Sequence, residues 1–191
     1  ILSNKLYRDF NKSELKLLNK PVFGKNCEIS EHSIIENGVI IGDNVKIDAG
    51  SIIGYNCFIG KGCKIGKNTT ITHSILSENV EVGSNSTIDR GSLSNTIIGK
   101  NTFLDNQIHI AHNVKIGEDC IIAAQTGFAG STSIGNNVII GGQSGISGHL
   151  KIGNNVQIGG GSGVIRNIPD NTKVMGYPAK DLKNFIRESK W

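Results

Sequence analysis

Five histidines occur in this 191-residue chain, and three of them are spaced so that they could share chemistry. His109 and His112 lie in Asp105-Asn106-Gln107-Ile108-His109-Ile110-Ala111-His112-Asn113, and His149 lies in Ser147-Gly148-His149-Leu150. An imidazole with an ordinary pKa near 6.5 takes or gives a proton at neutral pH. A backbone N–H placed beside it can hold a developing oxyanion, and a base next to such a donor is what acyl transfer to an amine or hydroxyl requires. Two other readings of the same residues stand beside this one. The histidines could be plain surface residues, or His109, His112 and His149 could supply three nitrogens to zinc. The step from His109 to His112 crosses a corner of the fold derived below, which sets the two apart and argues against a shared metal. His32 and His73 read as outward-facing surface residues.

The elements that position these residues follow from a strict apolar period. From Phe23 an apolar residue recurs every sixth position through Ile29, Ile35, Ile41, Ile47, Ile53, Ile59, Ile65 and Ile71. The ladder resumes at Ile98 and continues through Leu104, Ile110, Ile116, Ile122, Phe128, Ile134, Ile140, Ile146, Ile152, Ile158 and Val164. A helix repeats every 3.6 residues and a lone strand every two, so a six-residue period fits neither. It marks a solenoid in which each hexapeptide is one short side of a coil. Four positions after each ladder residue stands a smaller or β-branched one, as at Thr102, Ile108, Val114, Cys120, Thr126 and Thr132. Each hexapeptide therefore points one large and one smaller side chain inward. Gly, Asn and Asp gather between them, as in Gly135-Asn136-Asn137, and these residues tolerate the positive φ that a corner needs.

Three hexapeptides make one triangular coil. Coils stack at about 4.8 Å, so four coils from the second block, three from the first and one between them make a prism about 40 Å long. His112 and His149, two coils plus one residue apart, then stand near one edge, about 10 Å apart along the axis. Gly130, one full coil after His112, stacks between them. Between Ile71 and Ile98 the period slips. Val82 and Ile88 keep their spacing out of register, and Ser92-Leu93-Ser94-Asn95 adds residues, which predicts a bulging loop near 72–97.

Composition sets further bounds. The four cysteines, Cys27, Cys57, Cys63 and Cys120, all fall on the smaller inward position. They read as buried apolar residues without metal-type spacing, in a reducing, cytoplasmic setting. No apolar run approaches the roughly 20 residues that span a membrane. The net charge of +4 comes with few aromatics and no nucleic-acid motif, which argues against nucleic acid as a partner. Residues 1–20 read as an N-terminal helix or linker, 21–169 as the solenoid, and 170–191 as a C-terminal extension. Within the extension, 180–190 form a short amphipathic helix with Leu182, Phe185 and Ile186 on one side and Lys180, Lys183, Arg187 and Lys190 on a basic face. A basic face suits an acidic protein or a phosphorylated small molecule.

The stretch from about Thr87 to Asn167 resembles the bacterial UDP-3-O-acylglucosamine N-acyltransferases of lipid A biosynthesis. The matching strings are Thr87-Ile88-Asp89-Arg90-Gly91-Ser92-Leu93, Leu104-Asp105-Asn106, Ile110-Ala111-His112-Asn113-Val114-Lys115-Ile116-Gly117, Ala129-Gly130-Ser131, Ile140-Gly141-Gly142 and Gly148-His149-Leu150. The resemblance implies a left-handed parallel β-helix, an all-β solenoid of hexapeptide repeats with a short C-terminal α-helix. It implies a homotrimer with active sites between neighbouring prisms. The implied reaction moves a 3-hydroxyacyl chain from acyl carrier protein to the 2-amino group of a UDP-3-O-acyl-glucosamine, with no cofactor or metal beyond the carrier-bound chain. By the match, His112 is the general base, Gly130 the oxyanion donor, and Asp105, Asn106 and His149 substrate contacts. Arg166, Lys180, Lys183 and Arg187 fall in the region that meets the acidic carrier.

Two departures stand out. The family has a separate uridine-binding N-terminal domain, where only a short segment precedes the coils here, and His109 stands where a Gln is expected. Gly176-Tyr177-Pro178-Ala179-Lys180 resembles the ending of acetyl-CoA-dependent hexapeptide acetyltransferases. Alternative readings are therefore such a sugar acetyltransferase, the O-acyltransferase that acts on UDP-N-acetylglucosamine, a zinc-dependent protein like the γ-type carbonic anhydrases, or a non-catalytic trimeric scaffold.

Overall fold

The structure is a computed structural model that describes residues 19–91 and 94–189. The expected helix or linker over 1–20 lies outside the described residues but for its last two, as does Lys190. The rest of the chain winds as a left-handed parallel β-helix of about eight coils. Strands of two or three residues, one per hexapeptide, stack into three parallel sheets. Partners in neighbouring strands are three hexapeptides apart through most of the prism, as in His109↔Gly127 and Gly127↔Gly145. The left hand runs against the general preference of parallel crossovers.

The ladder is the core. Ile53, Ile59, Ile71, Ile98, Leu104, Ile110, Ile122 and Phe128 are fully buried, and so are the smaller inward residues Cys57, Cys63, Thr102, Val114 and Cys120. A buried hydroxyl must find a partner, and the threonines do. Thr102 Oγ1 donates to Gly117 O at 2.9 Å and accepts from Cys120 N. Only the first coil is open: Phe23 is 49% exposed, because among the described residues nothing covers it.

The corners are built by left-handed residues, with Asn26, Asn44, Asn101, Asn137 and Asn155 at φ of 54° to 56°. Asparagine is the residue after glycine that best tolerates this region. Stacked corners bond to each other through side chains. Gln143 donates to Gln125 at 2.9 Å and Gln125 to Gln107 at 2.8 Å.

The slip between Ile71 and Ile98 resolves into a complete coil of strands Ser74–Leu76, Glu81–Val82 and Thr87–Ile88. Leu76, buried one hexapeptide before Val82, is the ladder residue that the period reading passes over. The coil is entered one residue early, pairing Phe58 with Ile75, and left four residues late, pairing Thr87 with His109. The additional residues therefore sit at one corner, between Asp89 and Thr96. Thr96 Oγ1 closes it by donating to Asp89 O at 2.8 Å.

Past Pro169 the chain stays with the prism for one more strand. Lys173–Met175 pairs in parallel with Gln157–Ile158 and then antiparallel with Lys180–Asp181. A single helix among the described residues, α1 (Leu182–Glu188), follows. It is capped by Asp181, whose carboxylate accepts from the backbone N–H groups of Lys183 and Asn184.

Candidate active site at one corner of the prism

His112 lies just past the strand His109–Ile110, where the third sheet turns toward the first. Its Cα is carried by a rigid frame: Ala111 N donates to Phe128 O at 3.0 Å and Ser131 N to His112 O at 2.9 Å. The side chain is exposed and folds over Gly130 on the next coil. A Cβ at Gly130 would collide with His112 Cε1 and lie 2.5 Å from Nε2. Only glycine leaves room for the imidazole here. Gly130 does not adopt a positive φ, so its absent side chain serves this close approach rather than the turn.

The N–H of Gly130 is the second part. At the equivalent place on the first-to-second-sheet corner, several N–H groups are taken by a side chain one coil along. Glu118 N donates to Asn136 Oδ1 at 2.9 Å, Asn136 N to Asn154 Oδ1 at 2.9 Å, and Asn154 N to Asp170 Oδ1 at 2.8 Å. At the histidine corner the residue one coil along is Gly148, which has no side chain to offer. Among the described residues no acceptor takes the Gly130 N–H. The peptide is nonetheless fixed, since Gly130 O accepts from His149 N at 3.0 Å. A base and a preoriented donor thus meet at one corner, the pairing that carbonyl addition requires.

Asn113 supplies what orients the ring, a contact that spacing alone does not reveal. Its Nδ2 lies 3.4 Å from His112 Nδ1, and its backbone N–H donates to Thr96 Oγ1 at 3.1 Å. Asn113 Oδ1 accepts from Ser94 N at 3.4 Å, so the network turns the amide nitrogen, not the oxygen, toward the ring. His149 is exposed and turns the same corner two coils along, at φ of 61°.

Asp105 and Asn106 sit at the other end of this hexapeptide, at the corner between the second and third sheets. Asp105 Oδ1 accepts from Asn106 N at 2.7 Å, and Asn106 Oδ1 accepts from Ser84 N at 2.8 Å. Within one chain they are not brought against His112. His109 points away from His112, toward the preceding coil: its Nδ1 is 2.7 Å from Thr87 Oγ1 and its Nε2 3.9 Å from Asp89 Oδ2. No group of three His, Cys, Asp or Glu side chains among the described residues converges as metal ligands would. His32 is exposed, with Nε2 3.7 Å from Glu31, whereas His73 is half-buried at a corner of φ 43° rather than fully outward-facing.

Arg166, Lys183 and Arg187 are exposed. Arg166 comes one coil after Gly148, continuing the column of His112, Gly130 and Gly148. Lys180 is tied to Glu188, and that bond holds the Glu188 carboxyl below its usual range. Burial pushes the thiols of Cys57 and Cys63 up to about 12, and that of Cys120 up as well, so none of these three supplies a thiolate nucleophile at neutral pH. No helix among the described residues is long and apolar enough to cross a membrane.

Comparison with known proteins places this geometry in a family. The GMPPB C-terminal domain family matches residues 35–132, just over half of the chain. The chain belongs to that family. The UDP-3-O-acylglucosamine N-acyltransferase of Caulobacter vibrioides is 39% identical over 167 residues, covering 86% of this chain and 49% of that protein. The enzyme of the same name from Agrobacterium fabrum is 49% identical over 122 residues, covering 64% of this chain and 34% of its own length. These are the enzymes that the strings around His112, Gly130 and His149 resemble. The chain spans about half the length of the curated relatives it matches. Among solved structures, a UDP-N-acetylglucosamine acyltransferase from Bacteroides fragilis superposes with a TM-score of 0.81 at 28% identity, over 90% of this chain and 74% of that one.

Proposed function

We propose that the protein transfers a 3-hydroxyacyl chain from acyl carrier protein to the 2-amino group of a UDP-3-O-acyl-glucosamine in lipid A biosynthesis. The observation that carries the reading is His112 folded over Gly130, beside a fixed N–H that has no acceptor among the described residues. Similarity to N-acyltransferases at 39% and 49% identity supports the choice of an amine as acceptor.

In this reading the His112 imidazole takes a proton from the acceptor amine as the nitrogen lone pair adds to the thioester carbonyl. The C–N bond forms, and the carbonyl oxygen becomes an oxyanion that accepts from Gly130 N–H. Collapse breaks the C–S bond, and the imidazolium returns its proton to the departing carrier thiolate. A base in this role contributes about 10² to 10⁴ in rate. His149 and the pair Asp105 and Asn106 contact substrate. Those two lie at another corner of the same prism, so a trimer in which a neighbouring prism completes each site accounts for their role. Arg166, Lys180, Lys183 and Arg187 meet the acidic carrier. A cytoplasmic location fits the carrier and the free thiols.

A second reading is O-acylation of a UDP-N-acetylglucosamine, supported by the 0.81 superposition with the Bacteroides fragilis acyltransferase. One experiment separates them. The full-length protein and His112→Ala receive 3-hydroxyacyl carrier protein or acetyl-CoA, with UDP-3-O-acyl-glucosamine or UDP-N-acetylglucosamine as acceptor. Carrier-dependent N-acylation that falls by about 10²-fold or more in His112→Ala is expected. Ester formation, turnover only with acetyl-CoA, or full activity in the variant would overturn the proposal.

A further inference from the structure

Three side chains beside the transfer centre take no part in the chemistry above. Thr87 and Asp89 face outward from one strand and its end, and His109 faces outward from the strand paired to it, in the register Thr87↔His109. Thr87 Oγ1 holds His109 Nδ1 at 2.7 Å, which fixes the ring plane. The far nitrogen, Nε2, stops 3.9 Å from Asp89 Oδ2, with both side chains about half exposed. That gap is too long for a direct hydrogen bond, which needs about 2.7 to 3.2 Å. It is the right width for one oxygen to bridge, accepting from the imidazole and donating to the carboxylate at about 2.8 Å each.

The frame behind the pair is rigid. Asp89 N donates to Ile110 O at 2.8 Å, Asp89 O accepts from Thr96 Oγ1 at 2.8 Å, and His109 N donates to Thr126 O at 3.1 Å. Thr96 Oγ1 also accepts from Asn113 N, so the same hydroxyl anchors the residue beside His112. On the open side of His109 lies Gly127, where an added Cβ would meet nothing within 4 Å. A ligand therefore has access. Its chemistry follows from the pair. A carboxylate repels phosphate, and a carboxylate with an N–H donor suits a neutral group that both donates and accepts. His112 follows three positions after His109, about 10 Å of chain at most, within the reach of a sugar ring held between the two side chains.

We propose that Thr87, Asp89 and His109 form a hydroxyl-binding subsite that reads a ring hydroxyl of the sugar acceptor. The inference rests on the acyl-transfer reading of His112. It assigns a role to His109 where similar enzymes are expected to carry Gln, and to Asp89, which the motif reading left without one.

The test measures calorimetric binding and steady-state turnover for the full-length protein, His109→Ala, Asp89→Ala and Thr87→Val. The acceptors are UDP-3-O-acyl-glucosamine and its 4-deoxy and 6-deoxy analogues. One deoxy analogue should bind the unmodified protein about 10-fold or more weaker, the loss expected for a hydrogen bond to a charged group. The Asp89→Ala and His109→Ala variants should lose as much affinity for the parent acceptor and be indifferent to removal of that hydroxyl. Their kcat should change less than their KM, and their melting temperatures should stay near that of the unmodified protein. Equal losses on the parent and both deoxy acceptors, or sensitivity only to the 3-hydroxyl of the donor chain, would overturn the subsite alone. Binding of no acceptor by the unmodified protein would overturn the acyl-transfer reading and the subsite with it.

Discussion

Under the proposed acyl-transfer reading, Gly130→Ala tests the geometry of the candidate site more sharply than removal of the proposed base, His112. The added methyl carbon would lie 2.5 Å from His112 Nε2 and closer still to Cε1. Carbon and ring atoms in ordinary contact are 3.4 Å or more apart, so the ring has to retreat. A displacement of about 1 Å costs about 10²-fold in a positioned reaction, equivalent to about 2.7 kcal/mol of barrier. The backbone accepts the change, because Gly130 is not at positive φ and alanine in such a place alters stability by about 1 kcal/mol or less. The clash is with an exposed side chain that can swing into solvent. Gly130→Ala should therefore fold with an almost unchanged melting temperature and lose about 10²-fold or more in kcat. Gly148→Ala, whose Cβ would meet nothing closer than Gly130 O at 3.1 Å, is the control and should lose far less. The decisive measurement is the double variant. Once His112→Ala has removed the ring, Gly130→Ala has nothing left to displace, so the two losses should not multiply. Full activity in Gly130→Ala, or a double variant as low as the product of the singles, would refute the contact between ring and glycine as the source of the effect.

Phe128 is the largest of the fully buried side chains, and Phe128→Ala should cost about 3 to 5 kcal/mol, read as a lower denaturant midpoint with an unchanged slope. The buried thiols make stability fall at alkaline pH. Unfolded Cys57 and Cys63 ionise near 9.0, while the folded forms hold their protons to about 12, so the unfolded state loses protons first and stability declines as pH rises from about 9 to about 12. Urea melts across that range should show the decline, and Cys57→Ala with Cys63→Ala should flatten it. If acyl carrier protein is the donor, as proposed, Lys183→Glu with Arg187→Glu should raise KM for it about 10-fold with kcat little changed. The difference should shrink as salt is added, because both charges are exposed and screened.

The sequence by itself determined the prism. A period of six leaves one large and one small inward side chain per hexapeptide, and no helix or flat sheet buries that pattern, so the ladder from Ile41 to Val164 was legible before any coordinate. The three-sided coil followed, and with it the stacking of Gly130 over His112. What needed the tertiary structure were quantities that no period contains. The coil at Leu76, Val82 and Ile88 is entered one residue early, a shift that hides Leu76 from a strict count and is decided by the way the corner at His73 closes. The strand Lys173–Met175 carries too little of the pattern to be read, and it is held because the second sheet offers an unpaired edge. At the candidate corner, residue types pointed to an imidazole that could act as a base but not to its direction. The imidazole folds onto Gly130 because glycine alone leaves it space, the Gly130 N–H has no acceptor among the described residues because Gly148 has no side chain to cap it, and His109 turns from its neighbour because Thr87 and Asp89 lie one coil below. Each of these depends on what stands a full coil away, which is set by stacking in space and not by adjacency in the chain.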